Sequence, residues 1–233
     1  HFSVATLSGY GCEDMPAAIS AAGALMRYLE ETQKNALSHI HAIKTIRRSA
    51  YMLLDASTRR NLELTQPLQF GGSRKNTLLY LIDRTRSGMG GRMLRDWVDR
   101  PLQSPADIEA RLDAVDKLAG DMLCRGRLQE LLKGMYDIER LSSKIVYGAL
   151  NARDCLALRQ SLERIPGLAA LLAGSESVLI RETCAMLDPM EDVRSLLAAA
   201  IADEPPVSVK EGGFIRRGYH TEVDELSEIT EGT

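Results

Sequence analysis

Apolar residues recur along most of the chain at the three- and four-residue spacing that places them on one face of a helix. The first such stripe consists of Ile19, Ala22, Met26 and Leu29. It follows Pro16, and proline is favoured in the first turn of a helix because its missing N–H would have no partner there. The pattern predicts an amphipathic helix that opens at Pro16 and ends near Asn35.

The second half of the chain follows the helical pattern almost throughout. Three of its stripes are Ile108, Leu112, Val115 and Leu118; Ile138, Leu141 and Ile145; and Val193, Leu196, Leu197 and Ala200. Ser104 before Pro105 predicts one helix start, because the hydroxyl accepts from a free backbone N–H and proline suits the first turn. Asn151 with Asp154 predicts another start. That helix is expected to end at 165–167, where Pro and Gly interrupt the pattern.

Two segments depart from the helical pattern. Between positions 39 and 55 the apolar residues fall in short runs typical of extended chain, so we expect a linker between two units. Near the end, β-branched and aromatic residues flank Gly212 and Gly213, which predicts a small hairpin near 206–216, followed by an acidic helix over 222–228. The predicted fold class is therefore mainly α: a multi-helix domain with a short extended or β linker and one small hairpin.

Charge and composition exclude several classes of protein. The net charge is −3, and positions 156–233 hold 14 acidic residues against 7 basic ones, which argues against a basic nucleic-acid groove there. Apolar tracts such as Leu168 to Ala173 are far shorter than the roughly 20 residues that a membrane span needs. Four scattered cysteines without a C-x-x-C pair suit a reducing compartment, so we expect a cytoplasmic protein without a membrane partner.

One glycine-rich segment, Gly88 to Arg92, has the composition of a phosphate-binding turn at a helix start. A P-loop requires Gly-Lys, however, and none of the 18 glycines is followed by Lys. We therefore predict that this segment is a tight helix–helix connection. The less favoured hypothesis is that it forms the phosphate site of a small enzyme. The sequence also lacks a G-x-S-x-G nucleophile motif, and we expect no catalytic residue, cofactor or metal ion in this chain.

Several long strings resemble the core domain of the MutS family, the bacterial DNA mismatch-recognition ATPases. They are DASTRRNLEL (55–64), LIDRT (81–85), MGGRMLR (89–95) with Trp97, and the later Pro205-Pro206 with Gly212-Gly213. Upstream, residues 21–34 resemble the last helix of the family's connector domain. The resemblance implies that 1–35 is the C-terminal tail of the connector domain. It implies that 36–233 is the first segment of the core, or lever, domain, truncated before the clamp.

The same resemblance implies what the parent protein does. Members of this family bind mispaired double-stranded DNA, use ATP with Mg, and work with a second MutS subunit and with MutL. The Phe-x-Glu motif that contacts the mispair is absent here, because Phe2, Phe70 and Phe214 are followed two positions later by Val, Gly and Arg. The chain is then expected to link the connector, clamp and ATPase parts without an active site of its own. The alternative is a stand-alone helical adaptor that binds partner proteins.

The resemblance also implies a set of coupling residues between neighbouring elements. They are Arg59, Arg60, Asn61, Asp83, Thr85, Gly90, Arg92, Arg95 and Trp97. Among them, Arg92, Arg95 and Trp97 crowd the start of one predicted helix, so we hypothesise that they fix the packing between core helices. If the Trp97 ring is buried, Trp97→Ala should destabilise the protein by several kcal/mol.

Overall fold

The computed structural model describes residues 4, 6–32, 37, 40, 42–45, 51–69, 71–206 and 211–231. The chain divides into two compact units, 1–50 and 51–233. Most described residues are helical, and the β pairings among them are two isolated antiparallel bridges. The predicted fold class, mainly α, is confirmed.

The first unit is built around one long helix. A single 3₁₀ turn (Ser8–Tyr10) precedes α1 (Pro16–Thr32), which opens at proline as predicted. The half-buried positions of α1 include the whole predicted stripe from Ile19 to Leu29. The hydroxyl of Thr45 donates to the carbonyl of Tyr10 at 2.7 Å and ties a residue beyond α1 to the 3₁₀ turn.

The second unit contains eleven described α-helices. They are α2 (Ala56–Asn61), α3 (Leu78–Ile82), α4 (Gly88–Asp99), α5 (Pro105–Gly120), α6 (Met122–Lys133), α7 (Ile138–Val146), α8 (Ala152–Leu162), α9 (Ile165–Leu172), α10 (Val178–Ala185), α11 (Glu191–Ala200) and α12 (Thr221–Glu231). The helix α8 packs between α7 and α11, α10 packs between α5 and α9, and α6 contacts both α5 and α9. Nearer the start of the unit, α3 packs on α4.

The core of this unit lies where α7, α8 and α9 meet. Leu141, Leu158, Leu162 and Ile165 form its buried cluster, and Leu162 is 1% exposed. Side chains of α11 and of the loop before α7 pack against it. Some residues of the two stripes that begin at Ile138 and Val193 therefore pack in or against this cluster. Two others, Ile145 and Leu196, are exposed.

Most helices begin at a side chain that accepts from a free backbone N–H. Ser104 accepts from Asp107 N, and Asn151 and Asp154 form a reciprocal capping box, so both predicted starts are confirmed. The predicted break at 165–167 is only half right. The helix α8 does end at Leu162, but Pro166 lies in the first turn of α9 and opens a new helix rather than a loop.

The two non-helical segments are described in part. In the predicted linker, residues 39, 41 and 46–50 lie outside the described residues, and Tyr51 forms an antiparallel bridge with Leu102. In the predicted hairpin, 207–210 lie outside the described residues. Gly212 and Gly213 both have φ near +70°, and the chain that follows them pairs Ile215 with Ile201 at the end of α11. The acidic helix predicted over 222–228 lies within α12.

No helix in the described ranges combines the length and the apolar character that crossing a membrane requires.

Candidate functional site

The glycine-rich segment at the start of α4 is held by a compact turn. The Asp83 carboxylate accepts from the Thr85 backbone N at 2.9 Å and from its hydroxyl at 2.7 Å. Two residues on, the Ser87 hydroxyl accepts from Gly90 N at 3.1 Å and caps α4. A Cβ added at Gly90 would lie 3.2 Å from the Ser87 oxygen, so glycine at this position allows the turn to close tightly.

The geometry of this turn favours a structural connection over a phosphate cradle. A Cβ added at Gly88 would lie 3.2 Å from Oδ2 of Asp137, so a carboxylate already stands beside the glycine backbone. A negative charge at that distance opposes the binding of a phosphate group. The prediction of a tight helix–helix connection fits this geometry.

A bidentate ionic contact of the second unit begins one helical turn later, at Arg92. Its two terminal nitrogens donate to the two carboxylate oxygens of Asp137, both at 2.7 Å, and its Nε donates to Glu139 at 3.0 Å. Paired N–H donors on a carboxylate are among the most directional side-chain contacts in proteins. We refer to Arg92, Asp137 and Glu139 as the Arg92 cluster. It joins the start of α4 to the start of α7 across 45 positions of sequence.

The contacts within the Arg92 cluster also shift the pKa values of Arg92 and Asp137. The hydrogen bonds from Arg92 lower the pKa of Asp137 to about 2, well below its usual value. The same bonds raise the pKa of Arg92. Asp137 has a second function, because its Oδ1 accepts from Arg140 N and caps α7. A single carboxylate therefore fixes both the start of one helix and the position of another.

Trp97 lies on the same helix as Arg92 and contacts α5. The guanidinium carbon of Arg111 lies 3.7 Å from the centroid of its ring, a cation–π contact between α4 and α5. Trp97 is 39% exposed, so the condition of a buried ring is not met and the expected loss of several kcal/mol must be reduced.

Three predicted arginines, Arg59, Arg60 and Arg95, line one cavity of about 780 Å³. Arg59 donates to the carbonyl of Leu54 and Arg60 to that of Leu68, so both hold backbone around α2. These contacts secure the segment on either side of α2.

Arg95 also lines a second cavity of about 420 Å³, together with Asp83. Asn61 is exposed at the end of α2 and forms no side-chain hydrogen bond among the described residues. The structure thus brings together two subsets of the predicted residues: the Asp83-to-Arg92 turn and the arginines around Arg95.

Sequence reasoning missed the partners of two of these residues. Asp137 and Glu139 contact Arg92, and Arg111 contacts Trp97, yet none of the three was predicted as a coupling residue. No local spacing in the sequence relates Asp137 or Glu139 to Arg92. The described residues also contain no group of three or more His, Cys, Asp or Glu side chains able to hold a metal ion.

The fold and these contacts define a class: a helical module in which arginine–carboxylate and arginine–aromatic contacts fix helices to each other. The family profile of MutS domain III matches residues 57–231, and that of MutS domain II matches residues 1–41. The chain is 50% identical over 214 residues to the DNA mismatch repair protein MutS of Pelotomaculum thermopropionicum, which covers 91% of this chain and 25% of that protein.

Other relatives give the same result. The chain is 45% identical over all of its 233 residues to the MutS of Halothermothrix orenii, and this match covers 26% of that protein. It is 46% identical over 229 residues to the MutS of Symbiobacterium thermophilum, and this match covers 98% of the chain and 26% of that protein. The chain belongs to the MutS family of DNA mismatch repair proteins. It spans about a quarter of the length of the curated relatives that it matches.

Proposed function

We propose that this chain is the part of a DNA mismatch repair protein that joins the connector domain to the core domain. Residues 1–35 are the tail of the connector and 36–233 the first core segment. The chain carries no ATPase or mismatch-reading chemistry of its own. Its role is to couple the parts of the parent that bind DNA and nucleotide.

The observation that carries this proposal is the Arg92 cluster. Coupling between distant sites requires packed elements that move together and have more than one arrangement. The arginine fork holds the start of α4 to the start of α7 through bonds of 2.7 Å, so a displacement of one helix acts on the other. The match of 57–231 to MutS domain III supports the placement of this contact in the core.

The partners of the parent follow from the same proposal. They are mismatched double-stranded DNA, ATP with Mg, a second MutS subunit and MutL, all bound through domains outside this chain. The chain alone is then expected to bind neither nucleotide nor DNA. Millimolar ATP should leave its melting temperature unchanged, because stabilisation by a ligand grows as RT ln(1 + [L]/Kd).

A chimera tests the coupling role. The corresponding quarter of the Pelotomaculum thermopropionicum relative is replaced by this chain, and the chimera is compared with its Arg92→Ala variant. We measure mismatch binding by anisotropy and the release of DNA on ATP addition. The expected result is a variant that retains mismatch affinity within about twofold but loses a large part of ATP-driven release. Equal release from both proteins would refute coupling through the Arg92 cluster.

The exposed apolar side chains on α5 favour the alternative, a helical adaptor that binds partner proteins. Ile108, Leu112 and Val115 share one face of α5 and are 38 to 61% exposed. Surfaces of this kind are typical of protein contacts. The intact mass of the natural product in cells separates the two proposals: a mass near 25.7 kDa supports the adaptor, and a mass about four times larger supports the coupling segment.

A further inference from the structure

A groove of about 1040 Å³ runs between α6 and α9. Four of the residues that line it have little or no side chain: Gly126, Gly134, Gly167 and Ala170. Leu131 and Leu171 add apolar surface. Its volume is slightly above the roughly 300–1,000 Å³ of small-molecule pockets, and its open shape suits a length of polypeptide. We refer to it as the α6–α9 groove.

The α6–α9 groove is positively charged. Arg127, Lys133 and Arg164 line it, and Glu130 is its acidic residue. Within the part of the chain that the structure describes, none of the three cationic side chains forms an ion pair or a hydrogen bond. This contrasts with the acidic balance of positions 156–233, which include α9 and hold 14 acidic residues against 7 basic ones. Cations held without counter-charges at a concave surface attract an anionic partner.

One of these cations occupies space that only a glycine leaves open. A Cβ added at Gly134 would collide with Cζ of Arg164, so the guanidinium lies directly against the glycine backbone. Only a residue without a side chain permits this approach. The missing side chain at position 134 leaves room for the Arg164 head at the groove, where no carboxylate pairs with it among the described residues.

We propose that the α6–α9 groove docks an acidic, leucine-containing peptide segment of a partner protein. The three cations pair with carboxylates of the segment, and Leu131 and Leu171 pack against its apolar side chains. Nucleic acid fits less well, because Glu130 stands on α6 between Arg127 and Lys133 and repels a continuous row of phosphates. A helical peptide can instead place a neutral side chain opposite Glu130, between two of its own carboxylates. The inference does not depend on the coupling role proposed above.

The test is an anisotropy titration of the 233-residue chain with three labelled probes. The first is a short peptide in which Glu and Leu recur at helical spacing, the second has Lys in place of each Glu, and the third is a DNA duplex. Each is titrated at about 50 and 200 mM salt, where screening separates ionic from apolar attraction. We expect binding of the acidic peptide, weaker at the higher salt, and none of the lysine peptide.

Matched variants locate the site. Arg127→Glu combined with Lys133→Glu should lower affinity for the acidic peptide at least about tenfold, because two attractive pairs become repulsive. Lys75→Glu is the control: this exposed lysine lies outside the groove, and its reversal should change affinity by less than about twofold. Gly134→Ala should displace the Arg164 head and weaken binding, with the melting temperature unchanged because a flexible side-chain end gives way.

Three results would overturn the proposal. They are no binding of the acidic peptide by the unaltered chain, displacement of that peptide by the duplex, and equal affinities of the groove variants and the Lys75→Glu control. Thermal unfolding of each variant, followed by circular dichroism, shows that a loss of binding is not a loss of fold.

Discussion

Asp137→Asn separates the two functions that one carboxylate performs. Asparagine caps a helix about as well as aspartate does, so the start of α7 should persist. What is lost is the charge that faces Arg92 at 2.7 Å. Arg92 then retains only the weaker, more exposed contact with Glu139, whose side chain is 68% exposed.

The size of the effect follows from the titration of Asp137. Its pKa falls from 3.8 to about 2 in the folded protein. A shift of that size corresponds to an upper limit of about 2.4 kcal/mol, since each pKa unit is about 1.4 kcal/mol. The Asp137 side chain is 21% exposed but that of Arg92 is 41% exposed, so solvent screening reduces the value by roughly half. We expect a loss of about 1 kcal/mol in the free energy of unfolding.

The assay is urea unfolding at pH 7, with thermal unfolding as a second measure. For a unit of this size, about 1 kcal/mol lowers the melting temperature by about 2–4 °C. Asp137→Ala removes the cap as well and should cost about 1 kcal/mol more. The control is Asp113→Asn, an exposed aspartate on α5 that forms no ion pair among the described residues. An Asp137→Asn variant as stable as this control would refute the reasoning.

The pH dependence has a definite sign. Because folding lowers the pKa of Asp137, its contribution is fully present above the unfolded value of 3.8 and is lost as the pH falls through it towards about 2. The difference in stability between the original chain and Asp137→Asn should therefore be constant from pH 7 to about 5 and shrink below pH 4. A difference that grows in acid would contradict the assignment of the stabilising charge to Asp137.

Five further substitutions at four positions test other contacts. Trp97→Ala should lower the free energy of unfolding in urea by about 1–2 kcal/mol, less than the loss of a buried ring would. Arg111→Ala should lower it by about a third to a half of that amount, because it removes only the cation–π contact. Equal losses in the two variants would argue against stacking. Asn151→Ala should cost about 1 kcal/mol in thermal unfolding, and Asn151→Ser should restore most of it, since both polar residues cap a helix. Ser161→Ala should cost about 1–3 kcal/mol in urea unfolding, because its buried hydroxyl accepts from Tyr136 N at 3.0 Å and the N–H would be left without a partner; a smaller change would mean that water replaces the hydroxyl.

Local features of the fold could be predicted from the sequence because their causes lie within a few residues. The helix starts at Ser104 and Asn151 depend on side chains that reach backbone three positions away. The stripe of α1 depends on helical spacing alone. The prediction of a break at 165–167 was only half right, because proline is common both after the end of a helix and in the first turn of the next one. The local sequence does not distinguish these two positions.

Contacts across long stretches of chain could not be predicted in this way. Arg92 meets Asp137 and Glu139 from 45 and 47 positions away, and nothing in the spacing of charges selects these two among 32 acidic residues. The pairing of Ile201 with Ile215 likewise depends on where α11 ends in space. The resemblance named the region of the coupling residues, but the pairs themselves required the fold.

The buried cluster of the second unit has a consequence for the order in which the chain folds. All its members and the apolar side chains packed on it lie between Met135 and Leu197. Contacts between residues close in sequence close short loops, which form early and at small entropic cost. The segment from α7 to α11 should thus form a nucleus on which the earlier helices assemble. During synthesis from the N-terminus, α2 to α6 would be made before that nucleus. They would pack into their final positions only after α7 to α11 have folded.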